Sequence, residues 1–313
     1  MVHHLVVGAG GLLGSALSAQ LREAVPSVFS ISGLDWNSDH HVRDAFGRAI
    51  NEFLRQSGND QWVVHWCAGI ATMRSNQRES ERETSLLHNF FAILESQATR
   101  AQLSNASVTF ASSAGGVYEH SPNPPHTELS EPRPSSPYGR AKLASERMLA
   151  EWCEPRGVRL TIGRIASLYG PSQNLSKPQG LLSKVIQSAL TREPLSLFVP
   201  LGTTRNYIAA DDAARLLLAQ SNAERARRSV FNICSATNVS VAEVLRTAES
   251  LGRRRIPVRQ SVSSRYEPAS HDLRVASVWQ STVEACSRTS LRVGLHQLLR
   301  HQLRSMTVGA PRS

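Results

Sequence analysis

Tyr138 and Lys142 stand four residues apart in the segment SSPYGRAKLASERML, 135–149. Ser136 suits an N-cap, because its hydroxyl can meet amides left unpaired in a first helical turn. Pro137 follows at a position where proline loses no intrahelical bond, and Ala141, Leu143, Ala144, Met148 and Leu149 favour continuing the helix. Residues i and i+4 share a helix face, so the spacing places phenol and ammonium side by side. An ammonium a few ångströms from a phenol favours the phenolate, and such a group can pass a proton to or from a substrate hydroxyl. The same spacing also fits a chance pair on a solvated face, so its weight depends on what surrounds it.

A second chemical signal opens the chain. GAGGLLG places glycines at 8, 10, 11 and 14, between an apolar strand-like run (LVVGA, 5–9) and a helical pattern (LLGSALSAQLREA, 12–24). Glycine permits a tight turn and lets backbone approach a pyrophosphate. The helix that begins with Leu12, Leu13 and Gly14 would offer free amides and a positive dipole end to phosphates. Ordinary turns use glycine too. The second strand-like run, SVFSISGL (27–34), leads into Asp35. An acid there can accept hydrogen bonds from adenosine ribose hydroxyls and repel the extra phosphate of NADP, which favours NAD; a solvated loop aspartate is the alternative.

The elements that would position these residues alternate. Further strand-like runs are QWVVHWCA (61–68), SVTFASS (107–113) and VRLTIGRI (158–165), with SLLHNFFAILESQA (85–98) and the Tyr138 helix between them. Strand–helix alternation predicts an α/β fold, a doubly wound parallel sheet with helices on both faces. The proline-rich stretch His120–Ser136 is expected to be a loop bordering the site. After about residue 170 the alternation loosens: a helix over 181–190, a strand over 195–199, a helix over 211–220 and a strand over 230–234 precede helical fragments. This predicts a smaller, partly helical region packed on the first. The division expected is 1–170, with 205–235 returning to it, against 171–204 and 236–313.

Composition narrows the classes. No run of eighteen apolar residues occurs, so no membrane span is expected. The N-terminal MVHHLVVGAGG has no cleavable-signal pattern, and Cys67, Cys153, Cys234 and Cys286 form no C-x-x-C pair, which together predict a cytoplasmic, reducing setting. Eleven histidines show no metal-ligand spacing, so no metal site is expected. The formal charge of +10 includes clusters at 225–228 and 253–255. Without interleaved aromatics or a nucleic-acid motif they fit a solvated basic surface rather than a nucleic-acid partner.

These motifs, in this order, resemble the extended short-chain dehydrogenase/reductases, in particular the NAD-dependent nucleotide-sugar epimerases and dehydratases. Gly8, Gly11 and Gly14 match G-x-x-G-x-x-G; VVHWCAG (63–69) is similar to V-x-H-x-A-G; FASSAGGVY (110–118) is similar to the serine strand. GRIASLYGP (163–171), TRNYIAADDAA (204–214) and VFNICSATNVSVAEV (230–244) resemble later motifs of the family. The resemblance implies a Rossmann-like fold, a nucleotide-diphosphate sugar as substrate, NAD as cofactor, and a homodimer through paired helices including the Tyr138 helix. It implies that Tyr138 is the base, that Lys142 holds the nicotinamide ribose, and that Ser113 binds the reacting oxygen, with Ser112 as the fallback. Cys67, Ala68 and Gly69 would lie along the cofactor. Arg205 would reach the diphosphate and Arg265 would be a second phosphate ligand, a surface ion pair being the alternative for each.

Several positions depart from the family pattern. His41 stands where an acid usually contacts adenine, leaving Asp44; Glu83 stands near the usual asparagine; Asn206 replaces the aspartate after the arginine. A 4,6-dehydratase of the family needs an Asp-Glu pair beside the active serine, whereas Ala114 and Gly115 follow here. The resemblance therefore implies a C4 epimerase, with a nucleotide-4-ketosugar reductase as the alternative and a non-catalytic dinucleotide-binding sensor as the rival from another class.

Overall fold

A computed structural model describes residues 1–36, 38–173, 180–221, 226–260 and 272–308. The first half alternates as expected: β1 (Val2–Val7), α1 (Leu12–Ala24), β2 (Val28–Ile31), α2 (Asp39–Ser57), β3 (Gln61–Trp66), α3 (Gln77–Gln97), α4 (Arg100–Ser104), β4 (Ala106–Ser113), α5 (Ala114–Val117), α6 (Pro137–Cys153) and β5 (Arg159–Ile165). There follow β6 (Ser167–Tyr169), α7 (Leu181–Thr191), β7 (Leu195–Leu197), β8 (Thr204–Ala209), α8 (Ala210–Ser221) and β9 (Arg228–Ile233). The last elements are β10 (Asn238–Ser240), α9 (Val241–Gly252), β11 (Val258–Gln260), β12 (Asp272–Leu273), α10 (Gln280–Cys286) and α11 (Leu291–Val308).

Six strands form one parallel sheet in the order β2-β1-β3-β4-β5-β9. The strands are apolar on both faces because helices cover both. On one side α2, α3 and α6 bury Phe46, Phe53, Trp66, Phe90, Phe91 and Trp152, whose rings meet mostly edge to face. On the other, α1 and α8 bury Leu13, Leu17, Ala213 and Leu217. This is the doubly wound Rossmann arrangement. Its strand order reverses between β1 and β3, and such a switch point opens a crevice at the carboxyl ends of the strands.

Local chemistry moves two boundaries. β2 stops at Ile31, short of the expected 34, and Gly33 follows with φ +69°, so Asp35 stands in an exposed loop. α3 starts eight residues before the expected segment, because Asn76 and Glu79 cap it reciprocally. Beyond β5, β8 pairs with β10, β12 and β6 in a small mixed sheet, and β7 pairs with β11. A third apolar cluster joins α7, α9 and α11 through Val185, Ile186, Val244, Ala248, Leu295 and Leu298. Among the described residues no helix is long and apolar enough to cross a membrane, and no three His, Cys, Asp or Glu are grouped to hold a metal. The four cysteines are free thiols.

Candidate active site

α6 begins as its sequence dictates: the Ser136 hydroxyl accepts the Gly139 amide at 3.0 Å, with Pro137 in the first turn. Tyr138, Lys142 and Glu146 then descend one face at helical spacing. The Lys142 ammonium lies 5.7 Å from the Tyr138 ring centre and 5.3 Å from that of Phe110. Lys142 is buried and pairs with Glu83 of α3 at 2.8 Å, and it also donates to the Ala111 carbonyl at 3.3 Å. Burial alone would pull the lysine's pKa down; the Glu83 carboxylate, with Tyr138 adding, outweighs it and holds Lys142 above its ordinary value. The cation is therefore permanent at any physiological pH.

The two serines at the end of β4 point to different partners, as the period of a strand requires. The Ser112 hydroxyl is buried and donates to Glu146 Oε1 at 2.6 Å. Glu146 also receives Arg164 of β5, at 2.7 Å from Nη2 and 3.0 Å from Nε. Arg164 Nη1 donates to the Tyr118 hydroxyl at 2.9 Å, which donates onward to Asn232 at 3.1 Å. Ser112 thus belongs to a buried polar network beneath the site. Ser113 instead caps the short α5, its oxygen accepting the Gly116 amide at 3.2 Å. A hydroxyl that accepts still has its own proton to donate.

The residues expected to hold a dinucleotide meet at the switch point. Gly8 has φ +87°, and a β-carbon there would lie 2.5 Å from the Ala68 amide nitrogen, so β1 and the end of β3 meet without room for a side chain. A β-carbon on Gly14 would lie 2.1 Å from the Gly8 carbonyl oxygen, which seats the start of α1 on the turn. Gly11 is the N-cap and makes no side-chain cap bond, so the first-turn amides of Leu12, Leu13 and Gly14 are available to phosphate oxygens. This cradle fits a pyrophosphate. Cys67 and Gly69 flank Ala68; burial pushes the Cys67 thiol up to about 12, against the pull of Lys142, so it stays neutral. His41 and Asp44 lie in the first turns of α2, where Asp44 sits 3.2 Å from the His40 ring.

Arg205 lies on β8 between β10 and β12, and its buried Nε has no hydrogen-bond partner among the described residues. An unpaired buried guanidinium nitrogen keeps a donor that an anion could accept. Asn206 points elsewhere. Its amide donates to the Ser235 and Thr237 carbonyls, at 2.9 and 3.2 Å, and its oxygen accepts the Ser235 amide at 2.8 Å. Aspartate could not donate these bonds, which accounts for the departure. Arg265 lies outside the described residues. A cleft of about 470 Å³ between α7 and α11, lined by Gln173, Ser183, Gln187, Leu298 and Gln302, contains none of the expected site residues.

The sequence pattern of the NAD dependent epimerase/dehydratase family matches residues 4–234, from the glycine turn through β9. The chain belongs to this family. Among curated family relatives, the dTDP-L-rhamnose 4-epimerase of Burkholderia thailandensis is 31% identical over 124 residues, 39% of this chain and 34% of that protein. The match thus spans about a third of that relative's length. A putative UDP-glucose 4-epimerase of Methanocaldococcus jannaschii is 24% identical over 248 residues, covering 77% of this chain and 79% of the relative. The UDP-glucose 4-epimerase of Thermotoga maritima, solved with UDP-glucose, superimposes with a TM-score of 0.80 at 21% identity over 98% of this chain and 100% of that one. That of Thermus thermophilus, solved with NAD, gives 0.73 at 18% identity over 95% and 99%. These superpositions establish the fold.

Within the family frame, the residues that sequence reasoning did not single out are Glu146, Tyr118, Asn232 and Gly139. Glu146 had a signal, four residues after Lys142 on the same face. Gly139 follows Tyr138 directly, whereas Tyr118 and Asn232 join the network beneath the site through tertiary contact.

Proposed function

We propose that the protein is an NAD-dependent epimerase that inverts C4 of a nucleotide-diphosphate sugar. The observation that carries this reading is the buried, permanently charged Lys142 held 5.7 Å from the Tyr138 ring, beside a cradle shaped for a pyrophosphate. NAD, which the Gly8–Gly14 turn and Lys142 would hold, would supply reversible hydride chemistry at the sugar carbon. Tyr138 takes the proton of the sugar hydroxyl as its carbon is oxidised and gives it back after the sugar has turned. Ser113 donates its remaining proton to the same oxygen, so charge developing there is met in a dry site. Lys142 keeps one ammonium hydrogen for a ribose hydroxyl of the cofactor, since Glu83 and Ala111 engage the other two. Arg205 meets the substrate diphosphate through its unpartnered Nε.

Water elimination at C5 and C6 needs an acid and a base beside Ser113. Ala114 and Gly115 occupy those positions and can move no proton through a side chain, which supports epimerisation over dehydration. Asp35 supports NAD over NADP by like-charge repulsion of a 2′-phosphate. On this reading residues 1–170 with 205–235 hold the cofactor, while 171–204 and 236–313 recognise the sugar nucleotide. The protein acts as a cytoplasmic homodimer.

The test is a panel of UDP-, dTDP- and GDP-sugars incubated with protein and NAD, with products resolved by NMR. Interconversion of C4 epimers without net redox supports the reading. Steady NADH consumption with a 4-ketosugar replaces it with a reductase, and NAD binding without turnover of any sugar replaces it with a sensor.

A further inference from the structure

Glu83 is buried at the junction of three segments. Its Oε1 pairs with Lys142 of α6, its Oε2 accepts the Ala71 amide at 2.8 Å, and the residue itself belongs to α3. Ala71 lies on the loop that carries Cys67, Ala68 and Gly69 away from β3, and a β-carbon on Gly69 would lie 3.5 Å from the same carboxylate. One side chain therefore ties the loop at the switch point to the catalytic helix. A cation paired at this range with an anion also presents a weaker field to a neighbouring phenol than a lone cation does.

We propose that Glu83 is a positioning residue of this site: through Lys142 and Ala71 it fixes the cation and the cofactor-facing loop in one geometry, and it sets the pH range in which Tyr138 takes up a proton. The proposal rests on the reading of Tyr138 as the base. The charged and titratable groups facing Lys142 are Glu83 from α3, Tyr138 and Glu146 on α6, and Cys67 after β3. Cys67 stays neutral, and Glu146 is already neutralised by the guanidinium of Arg164. Glu83 is thus the carboxylate whose removal leaves the Lys142 charge bare.

Glu83→Gln and Glu83→Ala separate the two roles. E83Q keeps an oxygen for the Ala71 amide and drops the charge. It is expected to shift the acid limb of the kcat profile to lower pH by about one unit and to leave the Kd for NAD within about threefold of wild type. E83A also loses the loop anchor and is expected to weaken NAD binding about tenfold, the worth of one good hydrogen bond. An E83Q profile that superimposes on the wild-type one, scaled only in rate, overturns the pH role. Unchanged NAD affinity in E83A overturns the anchoring role. If E83Q does not fold, E83Q/K142M removes both charges and is expected to melt closer to wild type than K142M alone, because one buried ion is worse than none; additive losses overturn the pairing. Lack of any sugar turnover by the wild-type protein contradicts the proposed reaction instead, and leaves the NAD affinities and melting temperatures to decide the role of Glu83.

Discussion

A β-carbon on Gly139 would lie 2.2 Å from the carbonyl oxygen of Gly116, so α5 and α6 meet backbone against backbone. At the same contact a β-carbon on Gly116 would lie 3.0 Å from Cδ1 of Tyr138. The phenol is seated by the absence of two side chains, where α6 meets the short helix α5 that Ser113 caps. Gly139→Ala must push these helices apart. It is expected to cost about 1–3 kcal/mol in urea unfolding and to lower kcat by more than it lowers NAD affinity, since the phosphate cradle lies on other elements.

The two serines make separable predictions. Ser113→Ala removes the hydroxyl proposed to meet the reacting oxygen and is expected to lower kcat about a hundredfold with little change in melting temperature. Ser112→Ala takes a donor from buried Glu146 and is expected to cost about 1–2 kcal/mol of stability with a much smaller effect on kcat. Steady-state kinetics and thermal melts on both variants check the pair; equal kinetic losses contradict the division.

Stability is expected to fall in mild acid because of two rings buried on β1 and β3. His4 Nδ1 and His65 Nε2 lie 3.0 Å apart in stacked, buried imidazoles. Burial lowers His4 to about 4 and His65 to about 3 from 6.5, with the charge of His3 adding to the first shift and that of His4 to the second. Below 6.5 the unfolded chain protonates these rings while the folded one does not, so the unfolded state binds more protons and gains stability. The contribution is complete above 6.5 and is lost as pH falls towards 4 and then 3, by about 1.4 kcal/mol per pH unit for each ring. Urea unfolding at pH 7.5, 5.5 and 4.5 measures the slope, and replacing both histidines with glutamine is expected to remove this part of it.

What the sequence disclosed was local in origin. α1 spans 12–24 as its periodicity indicates, and the Tyr138 helix starts at its cap and proline. The strand–helix alternation carried the parallel sheet. Glu83 was visible only as a departure from the family pattern, because its meaning depends on Lys142, which reaches it from another helix. Ser113 was preferred and Ser112 kept as the fallback, since a strand read without its neighbours has no inside; in the fold the Ser112 hydroxyl is taken up by Glu146 and that of Ser113 caps α5. Gly116 and Gly139 looked like ordinary small residues because the loop between them hides their contact. α2 was not singled out, although Val42, Phe46, Ile50 and Phe53 repeat at helical spacing, because charged residues fill the intervening positions.

Tyr138 as the base is tested most directly by the rate of C4 epimer interconversion, followed by NMR with the responsive sugar nucleotide, in wild type and Tyr138→Phe, alongside titration of each with NAD. The expected result is a loss of turnover by about a thousandfold or more with NAD affinity within about threefold of wild type. A phenylalanine variant that interconverts the epimers at the wild-type rate contradicts it.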